Sequence, residues 1–374
     1  MAKRRGNNEG SIFQLPSGRW RAQVSVGGQR LSNSFATQRE GRAWLRATRD
    51  QVEDGLMIDG ARTALGNYCE YWLETAKPSL RLKTWLQYAQ IVRQHIAPDL
   101  GQIKLKDLRP DQIQGLYTRK LETGTGVRTV RLIHAVLHRA LGRALKWGLL
   151  RRNPCDAVDK PQQVRKEMKT WNVDQVRVFL ETARGHRLEA LFHLAIHTGL
   201  RQGELLGLWW SDLDWKTGEL QVQRQLQRVS GEGFVFSEPK TASGRRSIAL
   251  DAATLSKLRE HCKRQKEKRL MVGGRWQEQE LVFTSTVGTP LDQSNLIRQF
   301  KMILKKAGLP EIRFHDLRHT TASLLLELGI HPKVVQEILG HSSITVTMNT
   351  YSHVGPKLQK EAVARIALLV NPGA

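Results

Sequence analysis

The segment EILGHSSITVTMNTYSHV, residues 337–354, places Tyr351 ten positions after His341 in a run of hydroxyl side chains. The pKa of tyrosine is ~10, so only about a thousandth of it is ionised at neutral pH, and the phenol is a weak nucleophile unaided. To attack a phosphodiester it needs cations that hold the non-bridging oxygens and favour the developing phenolate. A role for Tyr351 as a nucleophile therefore depends on cations from other parts of the chain.

Two arginines stand at predicted helix starts and could supply those cations. Arg201 lies in HTGLRQGELLGLWW with Glu204 one turn along, and an arginine beside a glutamate is most often a structural ion pair. Arg318 follows His315 by three positions in IRFHDLRHTTASL, so the two share a helix face. A guanidinium is a planar, permanently charged fork that suits a phosphate. In related phosphoryl transfers one added arginine contributes ~10³–10⁵ in rate.

Three further side chains could move protons in such a reaction. Lys240 lies in SEPKTASGRRSIAL, in a turn between two strand-like runs. An exposed turn lysine means little alone, but a lysine in a mobile turn could protonate a leaving 5′-oxygen. His315 and His341 could shuttle the proton of the tyrosine or bond a phosphate oxygen.

A metal site is the alternative for the histidine segment, because His315 and His319 have the i, i+4 spacing of zinc-binding helices. The residue after the first histidine is Asp316, where a metalloprotease has glutamate, and Arg318 would place a cation beside the metal. We reject that interpretation. The sequence also has no nucleotide-binding glycine loop and no acidic metal cluster, so the chemistry it implies needs no cofactor, neither ATP nor a metal.

The net charge is strongly positive along the whole chain. Lys and Arg number 59 against 35 Asp and Glu, a net charge of +24. The excess is +4 in residues 1–60, +10 in 61–160 and +10 in 161–374. A distributed positive field favours a polyanion gripped by several domains. Charge alone does not separate DNA from RNA, a membrane surface or a merely basic protein.

Length and composition favour several soluble domains. A chain of 374 residues with 40% hydrophobic content can form two or three cores. Its three scattered cysteines argue against a disulfide framework or a zinc cluster and suit a reducing cytoplasm. No apolar run approaches the ~20 residues of a membrane span. We therefore expect a cytoplasmic protein without a membrane partner.

Residues 1–58 are predicted to form three short strands and a helix. The runs SIFQL, RWRAQVSV and RLSNSF are separated by turn formers, and ATQREGRAWLRATRDQVEDG has helical spacing. Trp20 and the arginines beside it must point to opposite faces of a strand. The sheet could lie in a DNA groove, or it could simply hold Trp20 in a small core. The candidate DNA contacts here are Arg19, Trp20, Arg21 and Arg30.

Residues 63–154 are predicted to form an all-helical domain. In VRTVRLIHAVLHRALGRALKWGLL one helix face is apolar, with Val130, Ile133, Val136, Leu137, Leu141, Ala144 and Leu145. The opposite face is basic, which indicates either a solvated surface or contact with a phosphate backbone. It carries Arg128, Arg131, Arg139, Arg143 and Lys146, of which Arg131, Arg139 and Arg143 are candidate DNA contacts.

Residues 155–170 are polar and lack a clear period, so they are predicted to be a linker. In residues 171–374 helices alternate with a β region made of GELQVQRQLQ, GFVFSEP and RRSIAL. Gly340 predicts a helix stop, and Ser342 or Ser343 a new helix start, on either side of His341. Residues 324–351 also fit helix–turn–helix patterning, a non-enzymatic alternative. The predicted fold is multidomain and mainly α with α+β parts, and its last domain is mostly helical with a small antiparallel sheet.

A known family has the same residue types in the same order, here Arg201, Lys240, His315-Asp-Leu-Arg318, Leu339-Gly-His341 and Tyr351. The order and its local context resemble the tyrosine recombinases, the phage integrases in particular. Residues 170–355 match closely, 63–154 resemble the family's core-type DNA-binding domain, and 1–58 its three-stranded arm-binding domain. Departures are Ala249, where proline is frequent, and Trp209, where a basic residue is often seen.

The resemblance implies roles for the phosphate ligands and the general acid. Arg201 and Arg318 would clamp the scissile phosphate, and Lys240 would protonate the leaving 5′-oxygen. Glu204 would be a structural support.

It also implies roles for the histidines and the nucleophile. His315 would act as acid or base on the tyrosine or as a phosphate ligand, and His341 would donate a hydrogen bond to the phosphate. Tyr351 would form a 3′-phosphotyrosyl bond that stores the energy of the broken ester, and His319 would be a structural support.

The implied activity is site-specific recombination that integrates or excises a phage or other mobile element through a Holliday junction. The implied partners are double-stranded DNA at core and arm sites and a homotetramer on that DNA, with a DNA-bending host factor and a directionality factor as candidates. The tail PKLQKEAVARIALLV keeps helical spacing and either packs on its own domain or docks on a neighbouring protomer. The alternatives are a DNA-binding regulator or inactive relative, disfavoured by the six catalytic positions, and a type IB topoisomerase, disfavoured by the arm domain.

Overall fold

The computed structural model describes residues 10–26, 29–53, 63–163, 168–239 and 242–351. The chain separates into two compact units, Met1–Arg165 and Lys166–Ala374, and the boundary falls within the stretch predicted as a linker. Among the helices in these ranges, none is long and apolar enough to cross a lipid bilayer.

The first unit begins with a three-stranded antiparallel sheet and a helix, as the sequence predicts. Strands β1 (Ser11–Gln14), β2 (Trp20–Val26) and β3 (Gln29–Phe35) pair in chain order, and α1 (Gln38–Glu53) packs against β2. Alternation along β2 buries Ala22 and Val24 beneath the helix. The small core leaves the other face of the strand to polar side chains.

The remainder of this unit is helical, as the sequence predicts. It contains α2 (Leu65–Ala76), α3 (Leu82–Ile91), α4 (Ala97–Leu100), α5 (Pro110–Glu122) and α6 (Val127–Lys146), with a π-helical turn, Val92–Ile96, between α3 and α4. The apolar stripe of α6 is buried except for Leu145, which is 38% exposed. Successive helical residues point ~100° apart, so the fully buried Ala144 takes the core position in that turn and Leu145 cannot.

Long-range contacts close the helical core. The Tyr68 hydroxyl donates to the Ala140 carbonyl at 2.7 Å and so joins α2 to α6. Cys155, which the sequence analysis placed at the start of the linker, is buried in this core within a short 3₁₀ turn, Pro154–Ala157. Val158 also packs against it, so the core extends past the predicted domain end.

The second unit is mostly helical. It contains α7 (Val173–Thr182), α8 (Glu189–Thr198), α9 (Gln202–Leu206), α10 (Ala252–Val272), α11 (Gln293–Lys306), α12 (Asp316–Glu327), α13 (Pro332–Leu339) and α14 (Ile344–Tyr351). Helix α8 packs against both α10 and α12. Phe179, Phe192 and Phe300 meet at the centre of the core, with ring centroids 5.4 to 6.2 Å apart. The mainly α prediction is confirmed.

The β region forms two small antiparallel sheets. The strands are β4 (Leu213–Asp214), β5 (Glu219–Val222), β6 (Gln225–Val229), β7 (Gly233–Ser237) and β8 (Arg246–Ala249), in the orders β4-β5-β8 and β6-β7. The run GELQVQRQLQ therefore supplies two strands, not one. Since β7 pairs with β6 and β8 pairs with β5, the connection that carries Lys240 joins two sheets and is not a hairpin tip. Local pattern identifies strands but not their partners.

Candidate active site

Arg201 lies directly before α9, at the edge of the core. Leu205 and Leu206 are fully buried and hold this short helix in place, whereas the Arg201 side chain is 36% exposed. The Arg201 backbone N–H and Nη1 both donate to the Glu204 carboxylate, at 3.0 and 2.6 Å. The structural ion pair considered for this arginine is therefore present, and it fixes the direction in which the guanidinium points.

Glu204 joins Arg201 to a second arginine that sequence analysis missed, Arg246. The Glu204 side chain is 3% exposed, and Arg246 Nη2 donates to it at 3.1 Å. Burial would raise the pKa of Glu204, but Arg246 and Arg201 lower it below its usual value, so the carboxylate is charged at neutral pH. The available signal was strand alternation, because position 246 shares a face of β8 with the buried Ile248.

The carboxyl end of α13 is where the arginines converge. Gly340, at φ 65°, ends the helix as the sequence predicts. The carbonyls of Gln336 and Glu337 accept from the backbone N–H groups of His341 and Gly340. The next three carbonyls each accept from an arginine: Ile338 from Arg246 at 2.7 Å, Leu339 from Arg318 at 2.6 Å and Gly340 from Arg201 at 2.8 Å. Side chains from three distant segments thus satisfy the open acceptors of one helix end.

We call Arg201, Arg246 and Arg318 the arginine cluster. Arg318 is 3% exposed and also donates to the Gly199 carbonyl at 2.8 Å. Burial, and then Arg201, lower the pKa of Arg318 to about 9, so it remains charged at neutral pH. With Glu204 ionised, the three guanidinium groups and one carboxylate carry a net charge of +2. Such a site is suited to a phosphodiester anion.

His341 lies beside this cluster and is 6% exposed. Its Nδ1 is 2.9 Å from the Thr347 hydroxyl on α14. Burial first, then Arg318 and Arg201, lower the pKa of His341 to about 3, so the imidazole is neutral at neutral pH. A neutral imidazole still carries one N–H donor.

Helix α14 connects His341 to Tyr351. Ser343 caps the helix, as predicted, by accepting from the Thr345 N–H at 3.2 Å. Thr347 is fully buried, and Tyr351 is the last helical residue, one turn beyond it. The side chain of Tyr351, and Lys240 as a whole, lie outside the described residues, so their roles stay predictions.

His315 immediately precedes α12 and is exposed. Its ring and that of His319 are nearly perpendicular, with centroids 5.4 Å apart. Desolvation, His319 and Arg318 lower the pKa of His315. Asp316, by contrast, is buried and accepts from the Arg313 backbone N–H at 2.8 Å and its guanidinium at 2.7 Å. Its carboxylate therefore joins the first turn of α12 to Arg313, in the segment before the helix.

The candidate DNA contacts of the first unit lie at the surface. Arg19, Arg21 and Arg30 are exposed, and Trp20 is half-buried. On α6, the guanidinium of Arg139 is 5.7 Å from the Tyr88 ring, and that of Arg143 is 5.7 Å from the Trp147 ring. Arg131 is exposed too and donates to the Pro161 carbonyl at 2.8 Å. Exposure at the surface does not by itself show contact with DNA, so DNA contact by these residues stays a prediction.

Trp209, the departure from the family pattern, is covered by a cation. The guanidinium carbon of Arg224 lies 3.9 Å from its ring centroid, and Arg224 pairs with the buried Asp212. Sequence analysis missed Arg224, because the residue reaches Trp209 only through the pairing of β5 with β4.

Comparison with known proteins finds a family match in each of the two units. Residues 167–357 match the model of the phage integrase family, and residues 64–121 match the phage integrase N-terminal SAM-like domain. A tyrosine recombinase XerC-like protein of Caldanaerobacter subterraneus subsp. tengcongensis is 33% identical over 92% of this chain and 94% of its own length. The ICEBs1 integrase of Bacillus subtilis is 25% identical over 95% of this chain and 99% of its own.

Solved structures share the fold. The Tn1549 transposon integrase, in complex with transposon right end DNA, superposes with a TM-score of 0.68 at 24% identity, covering 80% of this chain and 99% of its own. A lambda integrase dimer bound to a core site gives 0.57 at 20% identity, covering 95% and 97%. One family model matches half of the chain, and one relative exceeds 30% identity over nearly all of it. The chain therefore belongs to the phage integrase family, tyrosine recombinases that cleave and rejoin DNA.

Proposed function

We propose that this chain is a mobile-element integrase in which Arg201 and Arg318 hold a scissile DNA phosphate for attack by Tyr351. The observation that supports it is the convergence of the arginine cluster and His341 at the end of α13, from segments far apart in the sequence. This end connects through His341 and Thr347 to the helix that ends at Tyr351. A buried site of net positive charge joined to a tyrosine-bearing helix has the parts that phosphodiester exchange needs.

In the proposed reaction the Tyr351 phenol oxygen bonds to phosphorus while the bond from phosphorus to the 5′-oxygen breaks. The phenol gives its proton to His315, the proposed base, and the 5′-oxygen takes one from Lys240, the proposed general acid. The products are a 3′-phosphotyrosyl bond and a free 5′-hydroxyl. One ester replaces another, so a 5′-hydroxyl of a partner strand reseals the DNA by the reverse step without ATP.

The arginine geometry suits charge that develops on the non-bridging oxygens. A guanidinium has five N–H donors. Hydrogen bonds to described residues engage two of them in the Arg201 side chain and two in that of Arg318. The remaining donors, held by a rigid cluster, are preorganised for an oxyanion and need little rearrangement during the reaction.

The two histidines are proposed to act differently because their surroundings differ. His341 is buried and neutral, and its pKa would rise when a negative phosphate replaces solvent beside it. It is suited to donating a hydrogen bond to the phosphate. His315 is exposed at the start of α12 and can exchange protons with solvent, which suits acid or base action on the Tyr351 phenol.

The rest of the chain is proposed to grip DNA. Residues 1–58 would bind arm sites and 63–154 core sites, with 155–170 as linker and 171–374 as catalytic domain. One Tn1549 integrase structure contains transposon right end DNA, and one lambda integrase structure is a tetramer bound to a Holliday junction. We extend this to a homotetramer of the present chain on paired sites. Its place would be the host cytoplasm, at the nucleoid, with a DNA-bending host factor and a directionality factor as candidate partners.

A suicide substrate tests the proposal. A core site nicked next to the crossover loses the short 5′-hydroxyl fragment after cleavage, so the covalent adduct accumulates and migrates slowly in a denaturing gel. Wild type is expected to form this adduct, and Tyr351→Phe to form none while still shifting the same DNA in a native gel. Absence of an adduct from wild type on a site that it binds would favour a DNA-binding regulator.

A further inference from the structure

Arg246 contacts three separate parts of the proposed active site. Its Nη2 donates to Glu204 at 3.1 Å, and its Nε donates to the Ile338 carbonyl at 2.7 Å. Its Nη1 donates to the Gly244 carbonyl at 3.2 Å, in the connection that also carries Lys240. A single side chain, 7% exposed, therefore joins the start of α9, the end of α13 and the base of the Lys240 segment.

We infer that Arg246 is a positioning residue that aims Arg201 at the scissile phosphate and holds the Lys240 segment beside it, an inference that rests on the proposed function. Arg246 reaches the reaction only through other groups. Its carboxylate partner, Glu204, also accepts from Arg201. Oε2 of Glu204 accepts from both the Arg201 backbone N–H and Arg246 Nη2, and Oε1 accepts from Arg201 Nη1. Because Arg246 helps to fix the carboxylate that binds Arg201, the direction of the Arg201 guanidinium depends on Arg246.

The contacts require a guanidinium. One planar fork reaches two carbonyls and a carboxylate in three directions, whereas an ammonium on a flexible stem cannot satisfy all three at these lengths. The environment also requires a charge, since Glu204 is 3% exposed and would be left with Arg201 alone. Lysine at position 246 would thus keep the charge and lose the geometry.

The packing is tight enough for this coupling to be rigid. A Cβ at Gly340 would lie 2.9 Å from Arg246 Nη1 and 2.6 Å from the Ser243 carbonyl oxygen. The end of α13 therefore sits directly against Arg246 and the segment before it. A displacement of Arg246 would move the Ile338 carbonyl and, with it, the neighbouring carbonyls held by Arg318 and Arg201.

The experiment compares Arg246→Ala and Arg246→Lys with Arg245→Ala in the full-length chain. Arg245 is the matched control: it is adjacent, 59% exposed and paired with the exposed Glu238. Core-site affinity is measured by native gel shift, and single-turnover adduct formation on the nicked substrate at saturating protein. We expect Arg246→Ala to slow adduct formation ~10²-fold, the scale of a misplacement of about 1 Å. Arg246→Lys should slow it about tenfold, with affinity within about threefold and Arg245→Ala near wild type.

A modified substrate separates positioning from damage to the fold. A methyl group in place of one non-bridging oxygen of the scissile phosphate removes the charge that Arg201 is proposed to neutralise. Arg201→Ala and Arg246→Ala should then recover toward the wild-type rate on the same substrate, because a misdirected Arg201 matters less. Glu204→Gln/Arg246→Gln should be slowed by less than the product of its single effects, since both act through one contact.

Some outcomes would overturn this inference. One is an Arg246→Lys protein that cleaves like wild type. The other is an Arg246→Ala protein whose rate of adduct formation falls by the same factor as its DNA affinity and is not restored on the substrate with the neutral phosphate. Thermal melting identifies a variant that does not fold, in which case Arg246→Lys, which keeps the buried charge, decides. Failure of wild type itself to form an adduct would instead remove the proposed function.

Discussion

Replacement of Gly340 by alanine tests whether the end of α13 is as closely held as the arginine contacts indicate. Gly340 has φ 65°, and its carbonyl accepts from Arg201 at 2.8 Å. An added Cβ would lie 2.6 Å from a backbone oxygen, that of Ser243, and 2.9 Å from a nitrogen of Arg246. Neither neighbour is the free end of a flexible chain, because Arg246 is fixed by three hydrogen bonds.

The loss of folding stability expected for Gly340→Ala has two parts. Left-handed backbone costs an alanine ~1–2 kcal/mol relative to glycine. Overpacking adds ~1–3 kcal/mol, because either the Ser243 segment or the end of α13 must move. Gly329→Ala is the matched control: it has φ 77° with no atom within 4 Å of its Cβ, so it carries only the first part. We therefore expect Gly340→Ala to destabilise the chain by ~1–3 kcal/mol more than Gly329→Ala.

Thermal and denaturant unfolding of the two variants measure this difference. About 1 kcal/mol corresponds to roughly 2–4 °C in Tm for a unit of this size. The adduct assay should separate them further, because Gly340→Ala displaces groups held by the arginine cluster, and Gly329→Ala should cleave like wild type. Equal melting temperatures and equal cleavage by the two variants would refute the close packing on which the reasoning depends.

Two further predictions concern pH and salt. The pKa of His341 is lowered from an ordinary value of ~6.5 to about 3. Between these two pH values the unfolded chain binds a proton at His341 and the folded chain does not. The contribution of the neutral His341 to folding stability is therefore full above ~pH 6.5 and is lost as pH falls toward 3. Melting at pH 7 and pH 4.5 should show a larger acid loss in wild type than in His341→Asn, by about 1–3 kcal/mol, and identical losses would contradict the assignment. For DNA binding, replacing Arg131, Arg139 and Arg143 by glutamine should reduce the slope of log Kobs against log salt by up to ~2.7, at ~0.9 per phosphate contact. Replacing Arg93, Arg109 and Arg119, which are exposed but paired with carboxylates, removes the same charge and should leave the slope nearly unchanged, so equal effects of the two sets would argue against α6 as a DNA-contact face.

The parts of the fold that local pattern determines were predictable. The stripe of α6, the stop at Gly340 and the cap at Ser343 depend on residues within a few positions of each other, and all three are confirmed. Leu145 shows the limit of periodicity at a helix end, where the pattern does not say which of two adjacent apolar residues faces the core. The sheets show a second limit, because β7 and β8 are close in sequence but have different partners.

The site was predicted by residue type and not by contact. Arg201, Arg318 and His341 were chosen for their chemistry, and the structure brings them together. Sequence analysis missed Arg246 because its role depends on its hydrogen-bond partners Glu204, Gly244 and Ile338. Glu204 and Ile338 lie 42 and 92 residues away, so no local spacing reveals them. An arginine in a strand is normally taken to be solvated. Here Arg246 lies two positions from the buried Ile248, so strand alternation places both on the same face.

The electrostatics of the cluster explain how so much buried charge of one sign persists without its substrate. Burial first, and then repulsion by Arg201 and Arg246, lower the pKa of Arg318 to about 9. Glu204 offsets one charge, and three consecutive carbonyls at the negative end of the α13 dipole partly offset the others. A bound phosphodiester would supply the negative charge that is still missing, and more of it as the oxyanion develops. Only the charge that is added as the oxyanion develops distinguishes the proposed transition state from the bound substrate, so a rigid cation cluster would accelerate the proposed reaction by stabilising that added charge.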